Sequence, residues 1–266
     1  MSGQAAVAEF PFEFREGFVW CRVTVPQSAE PLDFLLDTGA SVSVINLHTA
    51  DRLGLRRGER VGVRGVHSNV VGYWPQRLPA KAGEVLLPED YLAVNLDKLA
   101  KACNRPVDGL LGTDFFRGRI VQVDFAAQKI RILQSYEPSS SAEVLPLELR
   151  RCGMRVPLRV NGGHAQWVRL DTGCASALHW VTSKVQSEPC TAQMAVALTE
   201  LRVSTTQTKV VIGATEFVGV PTGLHKKELF AGEAGLLGNG LLSRFTAVTI
   251  DAQSGRLVLE SAGKER

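Results

Sequence analysis

Hydrophobic residues along this chain fall in short runs bounded by turn formers, and most of the runs predict strands. Phe18 to Val25 is rich in β-branched and aromatic residues and stops at Pro26. Phe34-Leu35-Leu36 is a short apolar run ending in Asp-Thr-Gly, where Gly39 permits a tight turn. Val42 to Ile45 resumes an extended pattern. Val61 to Tyr73 is interrupted by Gly62, Gly65 and Gly72, which predicts a mobile hairpin. Two stretches predict short helices. One is Leu47 to Leu55, with Asn46 as N-cap and Gly54 near its end; the other is Leu96 to Cys103. The predicted class is mainly β with few short helices.

The pattern occurs twice. Asp33-Phe-Leu-Leu-Asp-Thr-Gly39 in the first half answers to Trp167-Val-Arg-Leu-Asp-Thr-Gly173 in the second. Gly-Leu-Leu-Gly stands at 109–112 and again at 235–238. Each copy leads to a short hydrophobic stretch and then a hairpin: Ile120 to Asp124 with Lys129 to Ile132, and Ala247 to Asp251 with Arg256 to Leu259. A matched order of features at this separation reads as a diverged duplication. Between the copies, Glu-Pro-Ser-Ser-Ser-Ala-Glu is polar and aperiodic, as a linker should be. The predicted organisation is residues 1–135 and 144–266 as two lobes joined by 136–143, each of ordinary domain size.

Composition narrows the function classes. A net charge of +3 with scattered Lys and Arg gives no footprint for a nucleic-acid partner. No apolar run is long enough to span a bilayer, and Met1 to Glu9 shows no signal peptide. The five cysteines include no CxxC pair, and the five histidines have no metal-ligand spacing, so neither a metal nor a cofactor is expected.

The chemistry resides in the two Asp-Thr-Gly triplets. Hydrolysing a peptide without metal or covalent intermediate needs one group to take a proton from water and another to give one to the carbonyl oxygen. Two facing carboxylates can do both, because close like charges resist double ionisation and hold one proton between them. Asp37 and Asp171 are therefore the candidate catalytic residues. Thr38 and Thr172 can hydrogen-bond across to the opposite loop, and Gly39 and Gly173 leave room for a close backbone. A lone triplet would be ordinary turn chemistry. Two copies, each after an apolar run and each followed by Gly-Leu-Leu-Gly, carry more information.

These residues resemble the signature of the retropepsin and pepsin clan of aspartyl proteases, in which the triplet is followed by a hydrophobic-hydrophobic-Gly element. Asp37-Thr-Gly-Ala-Ser41 with Leu110-Leu-Gly112, and Asp171-Thr-Gly-Cys174 with Leu236-Leu-Gly238, carry the likeness. Pro11-Phe-Glu-Phe14 and Asp108-Gly-Leu-Leu-Gly-Thr-Asp-Phe-Phe116 are similar to bacterial retropepsin-like members. The likeness covers nearly the whole chain. It implies two pseudo-symmetric acid-protease β-barrel lobes, a pepsin-style monomer, and an aspartic endopeptidase that takes an extended peptide or protein substrate between the lobes. It favours a periplasmic or secreted location. An alternative is a non-catalytic peptide-binding module of the same fold.

The second half departs from the first. Cys174 and Ala175 stand where the first half has Ala40 and Ser41, and Arg169 stands where it has Leu35. An inward Arg169 would favour the ionised form of Asp171; the expectation is a guanidinium solvated or paired at the sheet surface. Ala40 cannot offer the side-chain hydrogen bond that a Ser or Thr in that place gives pepsins, and Cys174 is a weak donor. That predicts an optimum less acidic than pepsin's. The hairpin Val61 to Tyr73, with His67, Ser68 and Asn69 at its tip, is the candidate flap, and Leu201 to Val210, with Ser204 to Thr208 at its tip, is the counterpart. His67 and His179 are expected to be incidental.

Overall fold

The short apolar runs pair laterally, because each buries a face only when a neighbouring strand covers its backbone. The computed structural model describes residues 6–65, 68–150, 153–181, 190–196 and 199–261. The first half contributes β1 (Ala6–Arg15), β2 (Phe18–Val23), β3 (Leu32–Leu36), β4 (Val44–Asn46) and α1 (Leu47–Arg52). It continues with β5 (Arg60–Gly65), β6 (Ser68–Tyr73), β7 (Lys81–Ala82), β8 (Val85–Leu86), β9 (Leu92–Val94) and α2 (Asp97–Ala102). It ends with β10 (Gly109–Leu111), α3 (Thr113–Phe116), β11 (Ile120–Asp124) and β12 (Lys129–Leu133). The second half contributes β13 (Glu143–Pro146), β14 (Glu148–Arg150), β15 (Gly153–Val160), β16 (Gln166–Asp171) and β17 (Leu178–Val181). It closes with β18 (Cys190–Val196), β19 (Thr199–Ile212), β20 (Thr215–His225), β21 (Gly235–Gly238), α4 (Asn239–Leu242), β22 (Ala247–Asp251) and β23 (Arg256–Glu260). The class is mainly β, with four short helices among the described residues. None of them is long and apolar enough to cross a membrane.

The strand order repeats. In the first half it runs β1-β2-β3-β10-β4-β9-β6-β5, and in the second β14-β15-β16-β21-β17-β20-β19-β18. Directions repeat as well. β10 lies parallel to β3 and antiparallel to β4, as β21 lies parallel to β16 and antiparallel to β17. Each Gly-Leu-Leu-Gly strand is thus threaded between the strand before Asp-Thr-Gly and the strand after it. Threading requires small residues at the crossing: a Cβ on Gly112 would overlap the backbone of Val42, and one on Gly238 would overlap the carbonyl of Ser176. Gly112 has φ −85°, so the constraint is space rather than dihedral. Gly112→Ala is expected to lower stability by about 1–3 kcal/mol, the usual cost of overpacking, read as a lowered urea midpoint at unchanged m-value.

The two halves also share a sheet, with order β13-β23-β22-β11-β12-β1. Its centre is the antiparallel pair β11–β22, in which Gln122 faces Thr249 and the Gln122 amide donates to Thr249 Oγ1 at 3.1 Å. Asp124 and Asp251, which occupy equivalent places, accept the turn N–H groups of their hairpins, from Ala127 and from Gln253 and Ser254. One core cluster includes Phe34, Leu36, Leu111 and Phe115 of the first half and Leu170, Leu178, Leu237 and Leu241 of the second.

Both predicted helices form, each a little shorter than expected. Asn46 Oδ1 accepts from His48 N at the start of α1, and Gly54 follows its end at φ 71°. One segment differs from expectation. Ser204 to Thr208 lies within β19 and pairs along its length with β20, with Ser204 and Thr205 also paired to β18, so it is not a hairpin tip. The β-branched Thr residues suit a strand, and the turn from β19 into β20 falls at Gly213, with φ 62°. The hairpin β5–β6 forms from Arg60↔Tyr73 to Gly65↔Ser68. His67 lies outside the described residues, as does Cys152.

Candidate active site

β3 and β16 each end in an aspartate because the apolar run that forms the strand stops there and Asp-Thr-Gly turns the chain. The parallel partners β10 and β21 hold these ends: Asp37 N donates to Leu111 O at 2.9 Å, and Asp171 stands in register with Gly238. The two turns meet. Thr38 N donates to Thr172 Oγ1 at 3.0 Å, and Thr172 N donates to Thr38 Oγ1 at 3.0 Å. Each hydroxyl then donates onward to the opposite strand, Thr38 Oγ1 to Leu170 O at 2.8 Å and Thr172 Oγ1 to Leu36 O at 2.9 Å. All four bonds are buried and cross between the halves.

This lock sets the two carboxyl groups side by side at the meeting of the turns. Each lies against the glycine of the other turn. A Cβ on Gly39 would sit 2.6 Å from Asp171 Cγ, and one on Gly173 would sit 2.8 Å from Asp37 Oδ2. Asp37 and Asp171 are 4% and 1% exposed, so water screens neither charge well. Asp37 Oδ1 accepts from Gly39 N at 2.9 Å and Ala40 N at 3.1 Å, whereas Asp171 Oδ1 accepts from Gly173 N at 2.9 Å. Burial is the main force raising both groups above the ordinary carboxylate range. Asp171 is raised further, by the adjacent Asp37 charge and by their shared hydrogen bond; Gly173 N–H and Arg169 oppose the rise. For Asp37, the Asp171 hydrogen bond, two backbone N–H groups and Arg169 pull the other way. Asp37 thus accepts one more backbone N–H than Asp171, and two groups so close titrate as a pair.

Three neighbours were missed or misplaced in the sequence reading. Arg169 is not at the surface. It is 3% exposed and ion-paired with Glu233, which is 5% exposed, because Asp171 and Arg169 share one side of β16 and the Phe230 ring lies 3.9 Å from the guanidinium carbon. Glu233 was missed altogether; its one signal is a carboxylate two residues ahead of Gly235. Asn239 was missed too. At the start of α4 its amide donates to Thr172 O at 2.7 Å and Gly17 O at 2.8 Å, bracing the second turn.

The remaining candidates fall as follows. Cys21, Cys103 and Cys174 are buried free thiols, and burial pushes the Cys174 thiol up and keeps it neutral beside Asp171. His179 is buried with Nδ1 2.8 Å from His225 Nε2, and burial holds it down to about 3. Tyr73 packs against the main core, and Trp74 against a second cluster containing Phe18, Trp20, Leu35 and Leu110. Among the described residues, no group of three or more His, Cys, Asp or Glu could hold a metal ion.

No curated protein matches the chain. Residues 23–118, which carry the first Asp-Thr-Gly and the first Gly-Leu-Leu-Gly, match the family model described as "gag-polyprotein putative aspartyl protease", and this match indicates a retropepsin-like aspartyl protease domain in the chain.

Proposed function

We propose that the chain is an aspartic endopeptidase in which Asp37 and Asp171 act as one catalytic dyad. The observation that carries this reading is the crossed threonine lock, which joins two acids from distant parts of the chain while burying both. Residues 1–135 and 144–266 are then two lobes joined by 136–143, and one copy of the chain holds a complete site. An extended peptide lies between the lobes over the dyad, held mainly by its backbone. β5–β6 is the covering hairpin of the first lobe.

The roles follow from the asymmetry of the pair. Asp37, with two N–H donors on Oδ1, is the ionised partner and takes a proton from water as its oxygen attacks the scissile carbonyl. Asp171 holds the shared proton and gives it to the carbonyl oxygen, producing a neutral tetrahedral diol. The C–N bond breaks as the proton on Asp37 passes to the departing amine and a hydroxyl proton of the diol returns to Asp171. Charge in the pair stays at one throughout, which suits a buried site.

Incubating the purified protein with a library of unstructured peptides across pH 3 to 8 tests this. Discrete internal cleavage is expected, with one labelled oxygen from heavy-oxygen water in each new carboxyl group and no acyl intermediate trapped by hydroxylamine. Because burial raises the dyad, activity should extend into mildly acidic and neutral solution. Tight peptide binding without any product would favour a non-catalytic binding module instead.

A further inference from the structure

The walls beside the two carboxylates differ at matching positions. Two residues before Asp37 stands Leu35, and two before Gly109 stands Val107; both are buried in an apolar cluster with Val44, Val94 and Leu110. The matching residues beside Asp171 are Arg169 and Glu233. Sheet register supports the match, since Arg169 faces Leu236 across β16–β21 as Leu35 faces Leu110 across β3–β10. Where the first half has two apolar side chains, the second has a buried two-pronged ion pair: Arg169 Nε lies 2.9 Å from Glu233 Oε2, and Nη2 lies 3.0 Å from Oε1.

The fold does not require charges there. Leu35 and Val107 show that the same topology accepts an apolar pair, and a buried ion pair is seldom more stable than apolar side chains of similar volume. What the charges can do is act on the dyad two residues away, where little water intervenes.

We propose that Arg169, clamped by Glu233, is a positioning residue of the dyad whose cation lowers the pH range over which Asp37 and Asp171 share one proton. Glu233 fixes the guanidinium and limits its pull. This inference rests on the dyad reading above. Arg169 acts on both aspartates in the same direction, against the effect of burial. Few other titratable groups face this region among the described residues. The loop after Asp171 contributes the Cys174 thiol. β15 contributes Arg155, turned to Glu148 and the Trp167 ring. β17 and β20 contribute His179 and His225, which face each other. β21 presents no titratable group, only Leu236 and Leu237 between its glycines.

The test is the pH profile of kcat/KM on a cleaved library peptide, for wild type, Glu233→Gln, the double variant Arg169→Leu/Glu233→Val, and Asp171→Asn. Glu233→Gln removes the opposing charge beside Arg169, strengthens its pull on the dyad and should move both limbs of the profile down by about one pH unit. The double variant installs the first half's apolar pair and should move both limbs up by a similar amount. A merely structural role would lower activity at every pH and leave the limbs in place. Unmoved limbs in the folded double variant, with Asp171→Asn inactive, overturn the inference and leave the dyad standing. Turnover by Asp171→Asn overturns the dyad reading itself. Thermal melts identify any variant that fails to fold, and the double variant keeps the test decisive if Glu233→Gln does not fold.

Discussion

Asp37→Asn and Asp171→Asn are each expected to lower kcat/KM for peptide cleavage at least about a thousandfold, since each removes one of the two proposed proton-transfer groups, with the circular dichroism spectrum unchanged. Asp171→Asn should also change stability in a way that depends on pH. In the folded chain the Asp171 carboxyl is raised by burial and by the neighbouring Asp37 charge, whereas in the unfolded chain it titrates near about 3.9. A raised group adds stability fully below its unfolded pKa and loses that contribution as pH rises through its folded value. Asn is neutral throughout and escapes the loss. The variant's melting temperature should therefore match wild type near pH 3 and exceed it by a margin that grows above about pH 4. Residual turnover by either purified variant would remove the dyad. A melting difference that stays constant from pH 3 to pH 8 would contradict the buried shared proton.

Thr38→Val is the second large effect. Valine keeps the shape and loses the hydroxyl, so Thr172 N–H loses its acceptor and Leu170 C=O loses a donor, both in buried surroundings. Leaving buried polar groups without partners costs about 1–3 kcal/mol each, which gives an expected loss of about 2–6 kcal/mol in urea unfolding. Thr172→Val should behave alike, through Thr38 N–H and Leu36 C=O. Thr38→Ser retains the hydroxyl and should keep most of the stability. Activity should fall with Thr38→Val even well below the melting temperature, because the lock sets the spacing of the carboxyl groups. Wild-type stability in Thr38→Val would show that the crossed bonds do not hold the turns.

What the sequence disclosed and what it hid divide along physical lines. Asp37 and Asp171 were legible because strand, turn and threading glycine leave a local signature, and that signature occurs twice. The hairpin turns after Asp124 and Asp251 were legible for the same reason. Glu233 was not, since its partner lies 64 positions away and nothing local distinguishes it from a surface carboxylate. Arg169 was misplaced because burying a cation is costly unless a partner is known. Ser204 to Thr208 was misplaced because a polar β-branched run serves equally as a loop tip or a strand, and lateral pairing decides between them. The pairing of β11 with β22 that joins the halves was hidden too, because alternation shows which face is buried but not which strand lies alongside.

That shared sheet governs how the molecule comes apart. Neither half completes it alone: removing either would bare the long edge of β11 or β22, and the core continues from one half into the other. Melting should accordingly be all-or-none, with no population in which one aspartate sits in an ordered half while the other hangs from a disordered one. Cleavage competence and global order should vanish together on heating.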